Sequence, residues 1–289
     1  MKLYVAIATV GRPEILRDVV SLVFQQSCPP EKVVIVAGCP ADVEGLDRSR
    51  SDLEIVFSEK GLSRQRNRAL DIIDDEAEIV TFFDDDFIPA DDYLQSVKAA
   101  FASNPEIVGV TGDLIADGIN LPLGYTIDDG LRRVAERFAT PAEPLRDREA
   151  LYGCNMSLRL AACVGLRFDE ILPLYSWQED IDFTVQLGRR GRLVSSKSIT
   201  GVHLGNKRGR ISGKRMGYSQ VANIVYLWKK GTMQPKLGEK LLYQNLLSNL
   251  VKSVWPEPHI DRRGRLIGNV IALFDWAAGR IDPRRIETM

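Results

Sequence analysis

Glu78-Ile79-Val80-Thr81-Phe82-Phe83-Asp84-Asp85-Asp86 decides the fold: a short apolar run ends directly in three carboxylates. A run of that length, rich in β-branched and aromatic residues, reads as a strand buried on both faces. Three adjacent charges at its end repel one another, and holding them there is costly unless a cation compensates. Working outward, Leu3 to Thr9 is a second buried-strand pattern, punctuated by Gly11 and Pro13. Pro13 suits the first turn of a helix to about Gln26, with Ile15, Leu16, Val19, Val20 and Val23 on its apolar face. Lys32 to Ala37 and Leu53 to Phe57 are further strands. Ser63 is a candidate N-cap for a helix reaching about Ile73, and Ala90 or Asp91 starts another to about Phe101. Strands alternating with helices specify an α/β fold, with a mostly parallel central sheet flanked by helices. Such sheets bind ligands beyond the carboxyl ends of their strands, where Thr9 and Asp84–Asp86 fall.

Ile107 to Gly112 adds a strand, and the Pro- and Gly-broken stretch from Ala116 to Glu149 reads as an insertion near the active face. A helix carrying Tyr218, Val221, Ile224, Val225 and Trp228 follows Gly217. Two or three more helices fill Leu237 to Met289, with a break at Trp255-Pro256-Glu257-Pro258. No internal repeat or low-complexity tract is present. The 289 residues, 45% hydrophobic and 27% charged, exclude disorder and a small disulfide scaffold. No apolar run is long enough to span a membrane, and Met1 to Val5 reads as a strand, not a cleavable leader. Cys28, Cys39, Cys154 and Cys163 are scattered and read as reduced cysteines of a cytosolic protein. With His203 and His259 the only histidines, a His/Cys zinc site is not expected.

The net charge of −1 conceals a strong asymmetry. Ala69 to Gln95 holds ten acids and no base; Phe183 to Gly238 holds twelve bases and no acid. Most of these are solvated surface. The rest suggest a cation held by the acids and a phosphorylated ligand met by the bases. Nucleic acid is not expected, because the basic segment has few aromatics for stacking and the acidic one would repel the backbone. Hard oxygen ligands at Asp84–Asp86 suit Mg²⁺ or Mn²⁺. Trp177-Gln178-Glu179-Asp180-Ile181-Asp182-Phe183 reads as a helix start with acids in its first turn, where the dipole favours them and where one could act as a general base. Lys60 to Asn67 offers a glycine and arginines at a helix start, an anion contact. His203 stands at the mouth of the Gly-rich basic loop Gly201 to Arg210.

In their order along the chain these segments resemble a family 2 glycosyltransferase of the GT-A (Rossmann-like) type, over roughly Lys2 to Leu227. The resemblance rests on Thr9-Val10-Gly11-Arg12-Pro13, on Gly61 through Arg66-Asn67, and on Asp84-Asp85-Asp86 as the DxD motif. It continues through Gly153-Cys154-Asn155-Met156-Ser157-Leu158-Arg159, Phe168-Asp169-Glu170, Glu179-Asp180 and the late His203. One departure is clear: the second strand ends Val36-Ala37-Gly38-Cys39-Pro40, without the Asp that contacts the nucleobase in many members, and Asp42 is offset from that place.

The resemblance implies a nucleoside-diphosphate sugar donor, Mn²⁺ or Mg²⁺, and inversion at the anomeric carbon. It makes Asp180 the base, with Trp177 and Glu179 on the acceptor side. Asp86, Asp84 and His203 would hold the metal. Thr9, Arg12, Arg66, Asp84 and Asp85 would line the donor site, and Lys207, Arg208 and Arg210 would close over the diphosphate. Residues 1–215 form the expected catalytic domain, and 216–289 a C-terminal helical extension packed on it. The two acidic clusters, Asp84–Asp86 and Asp180, are expected to converge on one cleft. A sugar nucleotidyltransferase would carry a Gly-rich loop with Lys after the first strand, which Thr9 to Pro13 lacks; a non-catalytic sugar-nucleotide-binding module would not be expected to keep Asp180 and all three of Asp84–Asp86. The acceptor is a glycan or glycolipid, as in cell-surface glycan synthesis, and the location cytoplasmic. The C-terminal helices, with Trp228, Trp255 and Trp276, fit peripheral contact with the inner face of a membrane, a helical cap or a homodimer contact.

Overall fold

The computed structural model describes residues 1–73, 76–137, 144–209 and 211–289. Along the chain run β1 (Leu3–Thr9), α1 (Pro13–Phe24), β2 (Lys32–Ala37), β3 (Leu53–Phe57), α2 (Leu62–Ile72), β4 (Ile79–Asp84), β5 (Phe87–Pro89) and α3 (Tyr93–Ser103). Then come β6 (Ile107–Asp117), α4 (Ile127–Ala135), β7 (Arg146–Asp147), β8 (Asn155–Arg159), α5 (Leu160–Cys163), α6 (Glu179–Gly188) and β9 (Arg192–His203). The chain closes with α7 (Gly213–Lys230), α8 (Pro235–Lys252) and α9 (Arg262–Ala277). By contacts it divides into two compact units. The first is Met1–Lys60, Arg64–Phe168 and Phe183–Gly209; the second is Gly61–Ser63, Asp169–Asp182 and Arg210–Met289.

The first unit holds one sheet in the order β3-β2-β1-β4-β8-β6-β9-β5, with β7 on β9. Its first four strands are parallel, as the apolar runs require, and β1 carries no exposed residue. β8 is antiparallel to both β4 and β6, while β6 and β9 are parallel. Apolar clusters cover both faces: Ile7, Val19, Ile35 and Phe83 belong to one, Val34, Phe82, Met156 and Phe183 to the other. Three details depart from the sequence reading. Ser63 is not an N-cap: it is the second residue of α2, and its buried Oγ has no hydrogen-bond partner. Between the acidic triplet and the next helix lies a strand, β5, which pairs antiparallel with β9, Phe87 opposite His203, and that helix starts at Tyr93 instead of Ala90 or Asp91. The basic segment holds a long strand, β9, in which Leu193, Val194, Ile199 and Val202 are buried.

In the second unit α7 and α9 cross at glycine. A Cβ on Gly217 would strike the Arg265 carbonyl, and one on Gly268 the Lys214 carbonyl. Asn269 Nδ2 donates to Gly217 O across this crossing at 2.7 Å. A partly exposed ion cage joins Asp169, ahead of α6, to Asp182 in its first turn. Lys230 Nζ lies 2.6 Å from Asp169 and 2.7 Å from the fully buried Asp182, which also accepts from Thr232 Oγ1 at 2.6 Å. Burial opposes the charge on both partners. Hydrogen bonds from Lys230 and Tyr226 nonetheless hold Asp169 below its usual range, and the two carboxylates hold Lys230 above its own.

Lys230→Met leaves Asp182 buried without its cation and should lower unfolding free energy by about 3 kcal/mol near neutral pH, as for one broken partner of a partly screened buried pair. Asp169 contributes above its unfolded pKa of about 4, and the contribution is lost as acid titrates the folded carboxylate. Lys230 contributes below about 10.5, and the contribution is lost as base titrates the folded ammonium. Urea denaturation against pH should therefore show a wild-type-minus-mutant gap that is flat from about pH 5 to about pH 9 and narrows on both sides. A gap that is absent at pH 7 contradicts this account.

Candidate active site

Four strand ends assemble the site on one edge of the first unit's sheet. β1 and β4 run parallel with Ala8 opposite Asp84, so Thr9 and the acidic triplet emerge together. β6 and β9 run parallel with Asp117 opposite His203. The triplet splits there, because a tight turn between β4 and β5 sends its side chains to different partners. Asp85 turns to β1: Thr9 Oγ1 donates to it at 2.7 Å and Arg12 Nη1 at 2.6 Å. Asp86 turns to the loop after β9, where the Asn206 amide donates to Oδ2 at 2.7 Å and His203 Nε2 stands 3.4 Å from Oδ1. Asp84 stays half-buried, 3.2 Å from Arg66 Nη2 and 4.0 Å from His203 Nε2.

The electrostatics follow. At Asp85 burial dominates and pushes the carboxyl up to about 6 despite Arg12 and Thr9. At Asp86 burial acts the same way, but the His203 ring, Arg12 and the Asn206 amide outweigh it and hold the carboxyl at about 2. His203 is desolvated, which disfavours its charge. Asp117, whose Oδ1 lies 2.8 Å from Nδ1, together with Asp86 and Asp84 reverses that and raises the ring to about 10. The ring is thus held between Asp117 on one side and Asp86 with Asp84 on the other, and a divalent ion at the site would take the place of the Nε2 proton.

Asp84, Asp86 and His203 each present a ligand atom, all within 4.8 Å of one another. Asp86 Oδ1 is buried and makes no hydrogen bond. Two carboxylate oxygens and one imidazole nitrogen suit Mn²⁺ or Mg²⁺. The donor set thus fits a divalent ion, and the metal ligands expected from the sequence meet in the first unit. Asp117 was not foreseen. It lies at the end of β6, within a stretch that reads as a loose insertion, and a distant register alone sets it against His203. Tyr152 Oη adds a 3.3 Å bond to it.

The remaining expected residues are placed as follows. Arg66 is buried between Phe82 and Phe168, and its Nη2 donates to Gly153 O at 2.8 Å as well as to Asp84. Arg12 is tied to Asp85 and through Nε to Arg208 O at 2.9 Å. Lys207 Nζ bonds the carbonyls of Gly118 and Ile119 at 3.2 and 2.6 Å. Arg208 is exposed, 3.4 Å from Glu14. Arg210 lies outside the described residues. Asp42 is buried and accepts from the amides of Gly11, Gly38 and Cys39 at 2.7, 3.0 and 2.9 Å, which makes it a clasp between the ends of β1 and β2.

Trp177, Glu179 and Asp180 belong to the second unit. Glu179 and Asp180 open α6 as its first-turn acids. Glu179 is buried, while Asp180 is half-buried, with Oδ1 accepting from the Ile181 amide at 2.9 Å. The approach is strained: Leu174, Ser176 and Gln178 all adopt positive φ, at 58°, 50° and 75°. Three such residues in five cost energy that only surrounding contacts sustain, and strain of this kind gathers at functional sites. Asn223 Nδ2 holds Trp177 O at 2.8 Å, and Ser176 Oγ donates to Leu172 O at 2.6 Å.

The sequence model of glycosyl transferase family 2 matches residues 4–151. No curated protein sequence matches the chain. Among solved structures, S. aureus TarS 1-349 in complex with UDP-GlcNAc is similar at 15% identity and a TM-score of 0.59, over 100% of this chain and 83% of that one. A mannosyltransferase from Pyrobaculum calidifontis in complex with GDP-Man and Mn²⁺ is similar at 17% identity and a TM-score of 0.52, over 96% and 75%. At such identities the likeness establishes the fold, the GT-A sheet with its flanking helices. With more than half its length matched by the family, and with that fold beneath it, the chain belongs to glycosyl transferase family 2.

Proposed function

We propose that the protein transfers a sugar from a nucleoside diphosphate to an acceptor hydroxyl, inverting the anomeric carbon. The observation that carries this reading is the meeting of Asp84, Asp86 and His203 at the carboxyl edge of a family 2 sheet. The sugar nucleotides on the two structural neighbours, UDP-GlcNAc and GDP-Man, support the donor class. Asp84 and Asp86 would hold Mn²⁺ or Mg²⁺ through oxygen and His203 through Nε2. When bound, the ion would act as a Lewis acid toward the departing diphosphate. Asp117 holds Nδ1 of His203 and so aims Nε2 at the carboxylates. Arg66 fixes Asp84, and the Asn206 amide fixes Asp86. Thr9, Arg12 and Asp85 would shape the donor floor, with Lys207 and Arg208 as diphosphate contacts.

In this reading Asp180 removes the proton from the acceptor hydroxyl as that oxygen bonds to the anomeric carbon. The bond from that carbon to the diphosphate oxygen breaks, and its electron pair leaves with the nucleoside diphosphate. A single base suffices, because no glycosyl-enzyme intermediate forms. Trp177 and Glu179 would meet the acceptor, a glycan or glycolipid presented in the cytoplasm.

Two substitutions separate the roles. Asp86→Ala should abolish the Mn²⁺-dependent thermal shift given by UDP or GDP and reduce donor hydrolysis by at least about a hundredfold. Asp180→Asn should keep that shift and lower transfer by roughly 10²–10⁴-fold, the usual contribution of a positioned base. An Asp180→Asn protein turning over at the wild-type rate removes Asp180 from the role. A wild-type protein that binds no sugar nucleotide with either metal overturns the reading as a whole.

A further inference from the structure

The outer faces of α8 and α9 are apolar. On α8, Lys236, Lys240, Tyr243, Leu247, Val251 and Val254 follow a three-and-four spacing and are all exposed, the last just past the helix end. On α9, Arg263, Ile267, Val270 and Phe274 do the same. The opposite faces are already used: Leu242 and Leu246 pack on the Tyr218–Val225 core, and Gly268, Asn269 and Ala272 are buried. α8 is therefore apolar on two sides, a pattern that soluble surface helices avoid. Tyr243, Trp255 and Phe274 are 74%, 84% and 69% exposed. At roughly 150–250 Å² per aromatic, these three together expose on the order of 450 Å² of ring surface. Trp228 does not contribute, since its indole is half-buried against Gly238.

The charge around the stripes selects the occupant. Lys236 and Lys240 continue the α8 stripe at one end, and Arg263 opens the α9 stripe. Glu239 is the only exposed acid on the two helices, and Asp275 is buried on Arg280 and Arg285. Between the helices, Glu257 is paired with Lys252 and Arg262 and Asp261 caps α9 through the Gly264 amide, so a second copy would bring the same bases and few acids to meet them. An anionic lipid surface supplies both partners, acyl chains for the aliphatic and aromatic side chains and headgroup phosphates for the bases. Among the described residues no helix is long and apolar enough to cross a membrane, so the contact is peripheral. From these observations we infer that the α8–α9 face docks the protein on an anionic membrane. The inference is independent of the chemistry at Asp84–Asp86.

Cosedimentation with vesicles tests it. The wild-type protein should pellet with equal parts phosphatidylglycerol and phosphatidylcholine and stay in solution with phosphatidylcholine alone. Lys236→Gln with Lys240→Gln should weaken binding about thirtyfold, at about 1 kcal/mol per base near the surface. Leu247→Ser with Val251→Ser and Trp255→Ser should abolish binding while leaving circular dichroism and the UDP–Mn²⁺ thermal shift unchanged. Three results overturn the inference: wild-type protein that ignores the anionic vesicles, substitutions that leave pelleting intact, or light scattering that finds a dimer which the serine variant dissociates.

Discussion

Three adjacent carboxylates at the end of a buried strand cannot share one environment, and the first unit is built around separating them. The β4–β5 turn gives Asp85 to Thr9 and Arg12 and gives Asp86 to His203 and Asn206, while Arg66 takes Asp84. The cost of burying these charges is met by cations and amides drawn from β1, α2 and the loop after β9. Those partners come from distant parts of the chain, so the site can exist only once the sheet has closed. The same logic gives the triplet two environments. Asp85 is tied to Thr9 and Arg12 with a raised carboxyl, while Asp84 and Asp86 remain aimed at one point with His203.

The second unit uses a similar device for another end. Asp182 and Asp169 are locked by Lys230, Thr232 and Tyr226, so the acids around the start of α6 are not equivalent. Asp182 is fully committed to the cage, while Asp180 keeps a half-buried carboxyl next to a backbone with three positive φ values. The glycine crossing of α7 and α9 secures α7, the helix from which Asn223 and Lys230 reach this segment.

Much of this was legible before any coordinates. β1, β2 and β3 were read to the residue, and α1 nearly so, because apolar periodicity and Pro13 leave little choice. The candidate metal ligands could be named because the DxD motif and a late histidine are local signals. Ser63 misled because a serine beside a glycine at a helix start usually caps it, whereas here the helix begins one residue earlier. Asp117 and the turn to β5 escaped for another reason: short strands in a mixed sheet carry almost no periodic signal.

By itself the sequence determined the parallel half of the sheet, β1 to β4, the helices α1 and α7, and which residues carry charge, since these follow from side-chain pattern and from Gly and Pro punctuation. Tertiary structure alone decided which partners each carboxylate of the triplet meets: Thr9 and Arg12 for Asp85, His203 and the Asn206 amide for Asp86, Arg66 for Asp84. Those choices depend on contacts between residues dozens of positions apart, such as Asp86 with Asn206 and Asp117 with His203. Solvation and pairing act through space, so residue type and order alone cannot assign them.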